Sequence, residues 1–163
     1  MPSRPLPAAA LALGLALALA FAGCAGSIAP YDEAAEPARR AALEAELRAR
    51  LGEAWDQPVP GLAEADLELG KEVWYKNCDP CHGPHGQGDG PRADRMQPRP
   101  TDLLAGRTLS QAGEVQVVRD GSPGTGMPAF GGKLPERHLL GAYRYLLWLR
   151  TNPPPPPDQR RGP

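Results

Sequence analysis

The chain is poor in the residues that build a self-sufficient core: aromatics make up only 6% of it, with two Phe, three Trp and four Tyr, against 19 Gly and 21 Pro. Such a composition suits a loop-rich domain that leans on a covalent or metal staple rather than on a large apolar interior. It also lacks an excess of either charge, with 18 Lys and Arg against 19 Asp and Glu and a net charge of -1. That balance removes the basic footprint of a nucleic-acid-binding protein. Cysteine is scarce. The three are Cys24, Cys78 and Cys81, and an odd number with two so close together argues against a disulfide framework. No run of alternating polar and apolar residues marks a strand, and no internal repeat is found. The apolar run Leu6 to Ala22 holds about 17 residues, short of the ~20 that span a bilayer as a helix.

What is present begins with a targeting segment. Arg4, the apolar run and a small-residue end make residues 1–23 a secretory signal, which is excluded from fold reasoning. Phe21-Ala22-Gly23-Cys24 is similar to a bacterial lipobox, with Phe21 where Leu is usual. It predicts that Cys24 is lipidated and becomes the N-terminus; the alternative is ordinary cleavage or an uncleaved anchor with Cys24 a bystander. A diacylated, N-acylated cysteine carries more than one chain, the regime of stable anchoring. Either way the remainder is expected outside the cytoplasm, on the periplasmic side of a membrane.

Residues 24–61 read as a tether containing a charged amphipathic helix from about Ala38 to Ala54, in which Leu43, Leu47 and Leu51 recur every four residues. Such a stripe packs on its own domain or docks on a partner. Gly52 and Pro58-Val59-Pro60-Gly61 end it. The compact domain is expected over residues 62–151. Its first helix starts near Asp66, burying Leu67, Leu69 and Val73. A Gly/Pro-rich loop follows from Gly83 to Gly106, too long for a small domain unless it wraps a cofactor. A short helix runs from Ser110, an N-cap, to Asp120, with Val115 and Val118 inward and Gly121 closing it. The last helix spans about Pro135 to Arg150, with Leu139, Leu140, Tyr143, Leu146, Leu147 and Trp148 as its apolar surface. Residues 152–163 form a proline-rich tail, expected as an extended spacer or docking peptide. The predicted fold class is all-α: a few helices wrapped around one covalent group, with long loops.

The most informative residues are Cys78-Asp79-Pro80-Cys81-His82. This C-x-x-C-H spacing is the attachment sequence of c-type haem: two thiols add across the two vinyl groups on one porphyrin edge, and the adjoining His82 is placed under the iron. A thioredoxin-like pair needs a β-α-β setting, which is missing. A zinc site needs further Cys or His ligands nearby, and a structural disulfide leaves His82 without a role. The other ring N–H of His82 is expected to donate to a backbone carbonyl, provided by the segment Pro98-Arg99-Pro100. Candidates for the sixth ligand are Met96, Met127, His85 and His138. Met127, in the flexible stretch Gly124-Thr125-Gly126-Met127-Pro128-Ala129-Phe130, is far enough along the chain to reach the opposite face, and a thioether is a soft ligand that raises the potential. Met96 is read as a loop or pocket residue, His85 as tied to the proximal side and His138 as a surface residue.

With those residues in view, the stretch from about Asp66 to Leu149 resembles a class I cytochrome c. Cys78-Asp79-Pro80-Cys81-His82-Gly83 is the haem motif and Gly126-Met127-Pro128-Ala129-Phe130 is similar to the distal methionine motif. Gly70 and Trp74 stand at the glycine and aromatic positions of the first helix, and Tyr145-Leu146 resembles the aromatic-leucine pair of the last, the two helices crossing near the glycine. Gly86-Gln87-Gly88-Asp89-Gly90-Pro91 and Pro98-Arg99-Pro100-Thr101-Asp102-Leu103 resemble the branch of single-haem cytochromes found as respiratory-complex subunits and oxidase donors. The resemblance implies one covalent haem c, held by Cys78 and Cys81 and ligated by His82 and Met127. It implies an electron-transfer protein rather than an enzyme, exchanging single electrons with membrane-bound or periplasmic redox proteins, with no nucleic acid and no small-molecule substrate as partner. It would act as a mobile donor or as a fixed subunit of a quinol-oxidising or oxidase complex. The competing classes are a peroxidase-type redox enzyme, marked by a spectrum without the sulfur-to-iron band, and a haem-based ligand sensor, marked by carbon monoxide binding at neutral pH.

Overall fold

The computed structural model describes residues 31–105 and 108–154. The expected signal segment, Cys24 and the tail from residue 155 lie outside the described residues. Helix α1 covers Glu36–Leu51. It begins two residues before the expected start because Pro37, read as tether, sits in the first turn, where its missing N–H is no loss. It ends at Gly52, and Gly52–Asp56 tightens into a 3-10 turn where the sequence predicted continued α-helix. Helix α2 is Leu67–Asn77, with the Asp66 carboxylate accepting from Leu69 N at 3.0 Å. The four-residue turn α3 is Asp79–His82. Helix α4 is Gln111–Asp120, capped by Ser110 Oγ accepting from Gly113 N at 3.1 Å. Helix α5 is Glu136–Thr151. Among the described residues there is no strand, only an isolated bridge between Gly131 and Leu134, so the all-α expectation holds.

Helices α2 and α5 make the most extensive pairing, and the reason is a missing side chain. A Cβ on Gly70 would lie 2.0 Å from the carbonyl oxygen of Gly141, so the two backbones touch as the expected crossing requires. Around that contact Trp74, Leu139, Leu140, Tyr143, Tyr145 and Leu146 are buried, each contributing roughly 1.5–3 kcal/mol of burial. Leu67 and Leu69 are only half-buried. Trp148 is 42% exposed, a departure from the expected apolar face. It lies at the rim, stacked on Tyr145 with ring centroids 5.5 Å apart.

The described residues from Tyr31 form one compact unit, and Val59 joins the same core as Leu62 and Trp74. Of the leucine stripe in α1, Leu47 is buried and Leu43 and Leu51 are half-buried, because α1 lies against α4. Trp55, buried in the 3-10 turn, presses on α4 where Gly113 leaves room: a Cβ there would come within 2.8 Å of the indole. The Arg48 guanidinium covers the other side of that ring at 4.5 Å, a cation–π contact. No helix among the described residues is long and apolar enough to cross a membrane.

Candidate haem-binding site

Helix α2 delivers the chain to the two thiols. Cys78 caps it, and the α3 turn is closed by Cys81 N and His82 N donating to Cys78 O at 3.1 and 2.8 Å. Both thiols are free and half-buried. Burial, aided by the nearby Cys81 and Asp79, pushes the Cys78 thiol up to about 12. The loop beyond folds back on this turn, with Gly88 N donating to His82 O at 2.9 Å and Arg92 N to Pro80 O at 2.8 Å. From α2, the Trp74 indole N–H donates to Gly83 O at 3.2 Å, and its ring lies 6.4 Å from that of His82.

The His82 ring is held by one contact. Its Nδ1 lies 3.3 Å from Thr101 O, so an Nδ1–H donates there and Nε2 is left for the iron. The carbonyl therefore belongs to the residue after the expected Pro98-Arg99-Pro100 segment. The Pro100 carbonyl is turned instead against Gly88, where a Cβ would stand 2.3 Å from it. Burial lowers the His82 pKa and outweighs the Thr101 bond, which raises it; the neutral imidazole is the form that ligates a metal.

Cys78, Cys81 and His82 line a cleft of about 260 Å³ together with Trp74, Leu103, Val118, Phe130 and Leu146. Met127 and Met96 both line it, whereas His85 and His138 do not. Met127 is fixed by its own loop: Met127 N donates to Thr125 Oγ1 at 3.1 Å, and Met127 O accepts from Ser122 N at 3.2 Å. The Met96 methyl group packs where Gly126 has no side chain; a Cβ there would be 2.4 Å from it. Met96 thus buttresses the Met127 loop, a role the sequence did not disclose.

A bidentate pair closes one end of the cleft. Arg150 Nη1 and Nη2 donate to Glu114 Oε2 and Oε1 at 2.8 and 3.0 Å, the Tyr143 hydroxyl donates to the same carboxylate, and Arg150 Nε donates to Leu103 O at 2.8 Å. Desolvation would lower the Arg150 pKa, but the Glu114 pair outweighs it and the net shift is upward. The sequence marked Tyr143 only as part of an apolar surface and gave Glu114 and Arg150 no role at the site. Their spacing carries no motif, and only the packing of α4 on α5 brings them together.

The donor set fits haem c and little else. No group of three His, Cys, Asp or Glu among the described residues could by itself hold a metal ion, so an iron here needs a macrocycle to complete its coordination. Two thiols one helical turn apart, a neutral imidazole beside them and an apolar slot with thioethers match that requirement.

Residues 65–146 match the family model described as "Cytochrome C oxidase, cbb3-type, subunit III". Among solved structures, a chain of the "Kuenenia stuttgartiensis reducing HAO-like protein complex Kustc0457/Kustc0458" is 25% identical, with 57% of this chain and 46% of that chain covered and a TM-score of 0.47. This chain therefore spans less than half the length of that relative.

Proposed function

This chain belongs to the cytochrome c oxidase, cbb3-type, subunit III family, and its domain is a class I c-type cytochrome that binds haem c; we propose that it is a membrane-tethered, single-haem electron carrier of a respiratory chain. The observation that carries the reading is the convergence of Cys78, Cys81, His82 and Met127 on one apolar cleft. Haem c bound there supplies a one-electron couple. The chain does the rest. Cys78 and Cys81 hold the group irreversibly as thioethers. Thr101 O fixes the His82 ring through Nδ1 and leaves Nε2 free, the nitrogen that would hold the iron, and the Ser122–Met127 loop would supply the thioether. His82 and Met127 would both hold the iron of the bound group and leave no open position for a substrate, which favours a carrier over a peroxidase or a gas sensor.

Cys78 and Cys81 are half-buried, and the haem edge they carry is the proposed exit for the electron. A transient redox partner would meet that edge through a small interface. In this reading Cys24 bears the lipid anchor and the domain works on the periplasmic side. Tethering raises its effective concentration near membrane-bound redox partners, whether it shuttles between a quinol-oxidising complex and an oxidase or is a fixed subunit of one. Replacing Met127 with Ala tests the site: the potential should fall, the sulfur-to-iron band should vanish and the ferric protein should take up added ligands. An unchanged spectrum would refute Met127 as ligand, and the same result obtained only with Met96→Ala would transfer the role to Met96. Replacing Cys24 with Ser should release the protein from membranes in low-detergent extraction; a protein that stays bound would refute the lipid as its anchor.

A further inference from the structure

The family match begins at residue 65, and α1 precedes it, yet the first turns of α1 line the cleft through Glu36, Arg39, Arg40 and Leu43. Glu36 is the hub. Its carboxylate accepts from Arg39 Nε and Nη2, both at 2.7 Å, from Arg40 Nε at 2.7 Å and from the Tyr31 hydroxyl at 3.0 Å. The Arg39 bonds foremost hold its pKa down to about 2, against the opposing effect of burial. The pair is a fork-to-fork ion pair on a side chain 13% exposed for Glu36 and 26% for Arg39, which fixes the guanidinium plane.

That leaves Nη1 aimed away from α1. It donates to Ser122 Oγ and to Pro123 O, each at 3.2 Å. Ser122 is the hinge end of the loop that carries Met127. Its N–H donates to Met127 O, and its carbonyl accepts from Thr125 Oγ1 at 2.8 Å while the same hydroxyl accepts from Met127 N. A short series of hydrogen bonds thus runs from Glu36 through Arg39 to both backbone polar groups of Met127. The loop needs such a brace, since Pro123, Gly124, Gly126 and Pro128 are all exposed.

We propose that Arg39, locked by Glu36, is a positioning residue for Met127: a helix outside the span matched by the family clamps the loop that presents the thioether. The proposal rests on the reading of Met127 as axial ligand. A neutral thioether is a weak ligand, so the fraction of time it stays bound depends on how firmly the chain holds it in place. An added ligand binds the fraction of molecules in which the loop has opened, and its apparent affinity scales with that fraction.

The test uses the ferric holoprotein, full length, with neutral imidazole as the probe so that a changed local charge does not itself alter binding. In Arg39→Ala the sulfur-to-iron band should weaken and imidazole affinity should rise about tenfold, the effect of removing one part-buried, charge-assisted anchor. Glu36→Gln, which keeps Arg39 but unlocks it, should shift both readouts in the same direction by less, and it serves if Arg39→Ala does not fold. The control is Arg50→Ala, which breaks the 2.6 Å pair between Arg50 and Asp120, a contact of the same helix with α4 that leaves the loop untouched. It should leave both readouts at native values. Native band and affinity in Arg39→Ala and Glu36→Gln, or an equal change in Arg50→Ala, would overturn the proposal. A native protein without the band refutes the ligand reading itself, before any variant is made.

Discussion

The α2–α5 crossing and the α1–α4 junction are both helix pairings in one compact unit, and they are held by different physics. At the crossing, Gly70 and Gly141 let backbone meet backbone, and a layer of buried aromatic and leucine side chains surrounds the contact. Little can shift there without opening the core. At the junction, one indole seated on Gly113, one buried leucine and a set of arginine contacts join the helices. The first pairing builds the cleft and the second adjusts it. An element recruited from outside the family's span docks through a few strong contacts because a separate core would need more apolar surface than α1 carries, and its polar contacts are then free to reach the loops around the site.

The sharpest way to break the contrast is Gly70→Val. The new branched side chain would overlap the Gly141 carbonyl, and since packing against backbone cannot relax as a side chain can, the loss should be about 4 kcal/mol or more, read as a collapse of the denaturant midpoint or failure to accumulate. Trp55→Ala should come next, at about 3 kcal/mol, but confined to its own region. Hydrogen exchange in α1 should quicken while α2 and α5 keep their protection, and equal loosening everywhere would show that the two pairings form one cooperative unit. Arg150→Ala tests the link between the regions, because Glu114 on α4 would lose its bidentate partner on α5. A loss of about 2 kcal/mol in chemical denaturation is expected for so enclosed a pair.

The smallest effect is one of pH. Glu36 is depressed in the folded chain, so its ionised form favours α1 docking. That contribution is complete above the ordinary carboxylate value of 4.5 and is lost as pH falls towards about 2. Exchange of α1 amides, corrected for intrinsic rates, should therefore rise through that window in the native protein, and the rise should be largely absent in Glu36→Gln. An identical pH profile for both would remove Glu36 from the account.

The legible parts of this molecule were those fixed by local chemistry. Asp66 and Ser110 announced two helix starts, Gly121 a helix end, and the Cys78–His82 spacing a haem site, because caps and attachment motifs act over a few residues. The crossing at Gly70 was foreseen through family resemblance, since nothing in the chain itself names Gly141 as the partner. What stayed hidden is what depends on long-range placement. The carbonyl facing His82 proved to be that of Thr101, decided by which way the Pro100 peptide turns against Gly88. The start of α1 moved to Glu36 because Pro37 opens a helix as readily as it ends one. The same helix looked like part of a tether because its stripe is thin, and the i, i+3 and i+4 spacing of Glu36, Arg39 and Arg40 was the one sequence cue that its first turn is a rigid charged cluster.

Everything about the site presumes that a single porphyrin is joined to the chain through Cys78 and Cys81. Intact-mass measurement of protein matured in a host with its own haem-attachment machinery tests that directly. The account predicts a mass greater than the processed polypeptide by one haem, resistant to acid extraction and reduced to a single thioether link in Cys78→Ala or Cys81→Ala. A polypeptide of unmodified mass, with both thiols open to alkylation, would contradict it.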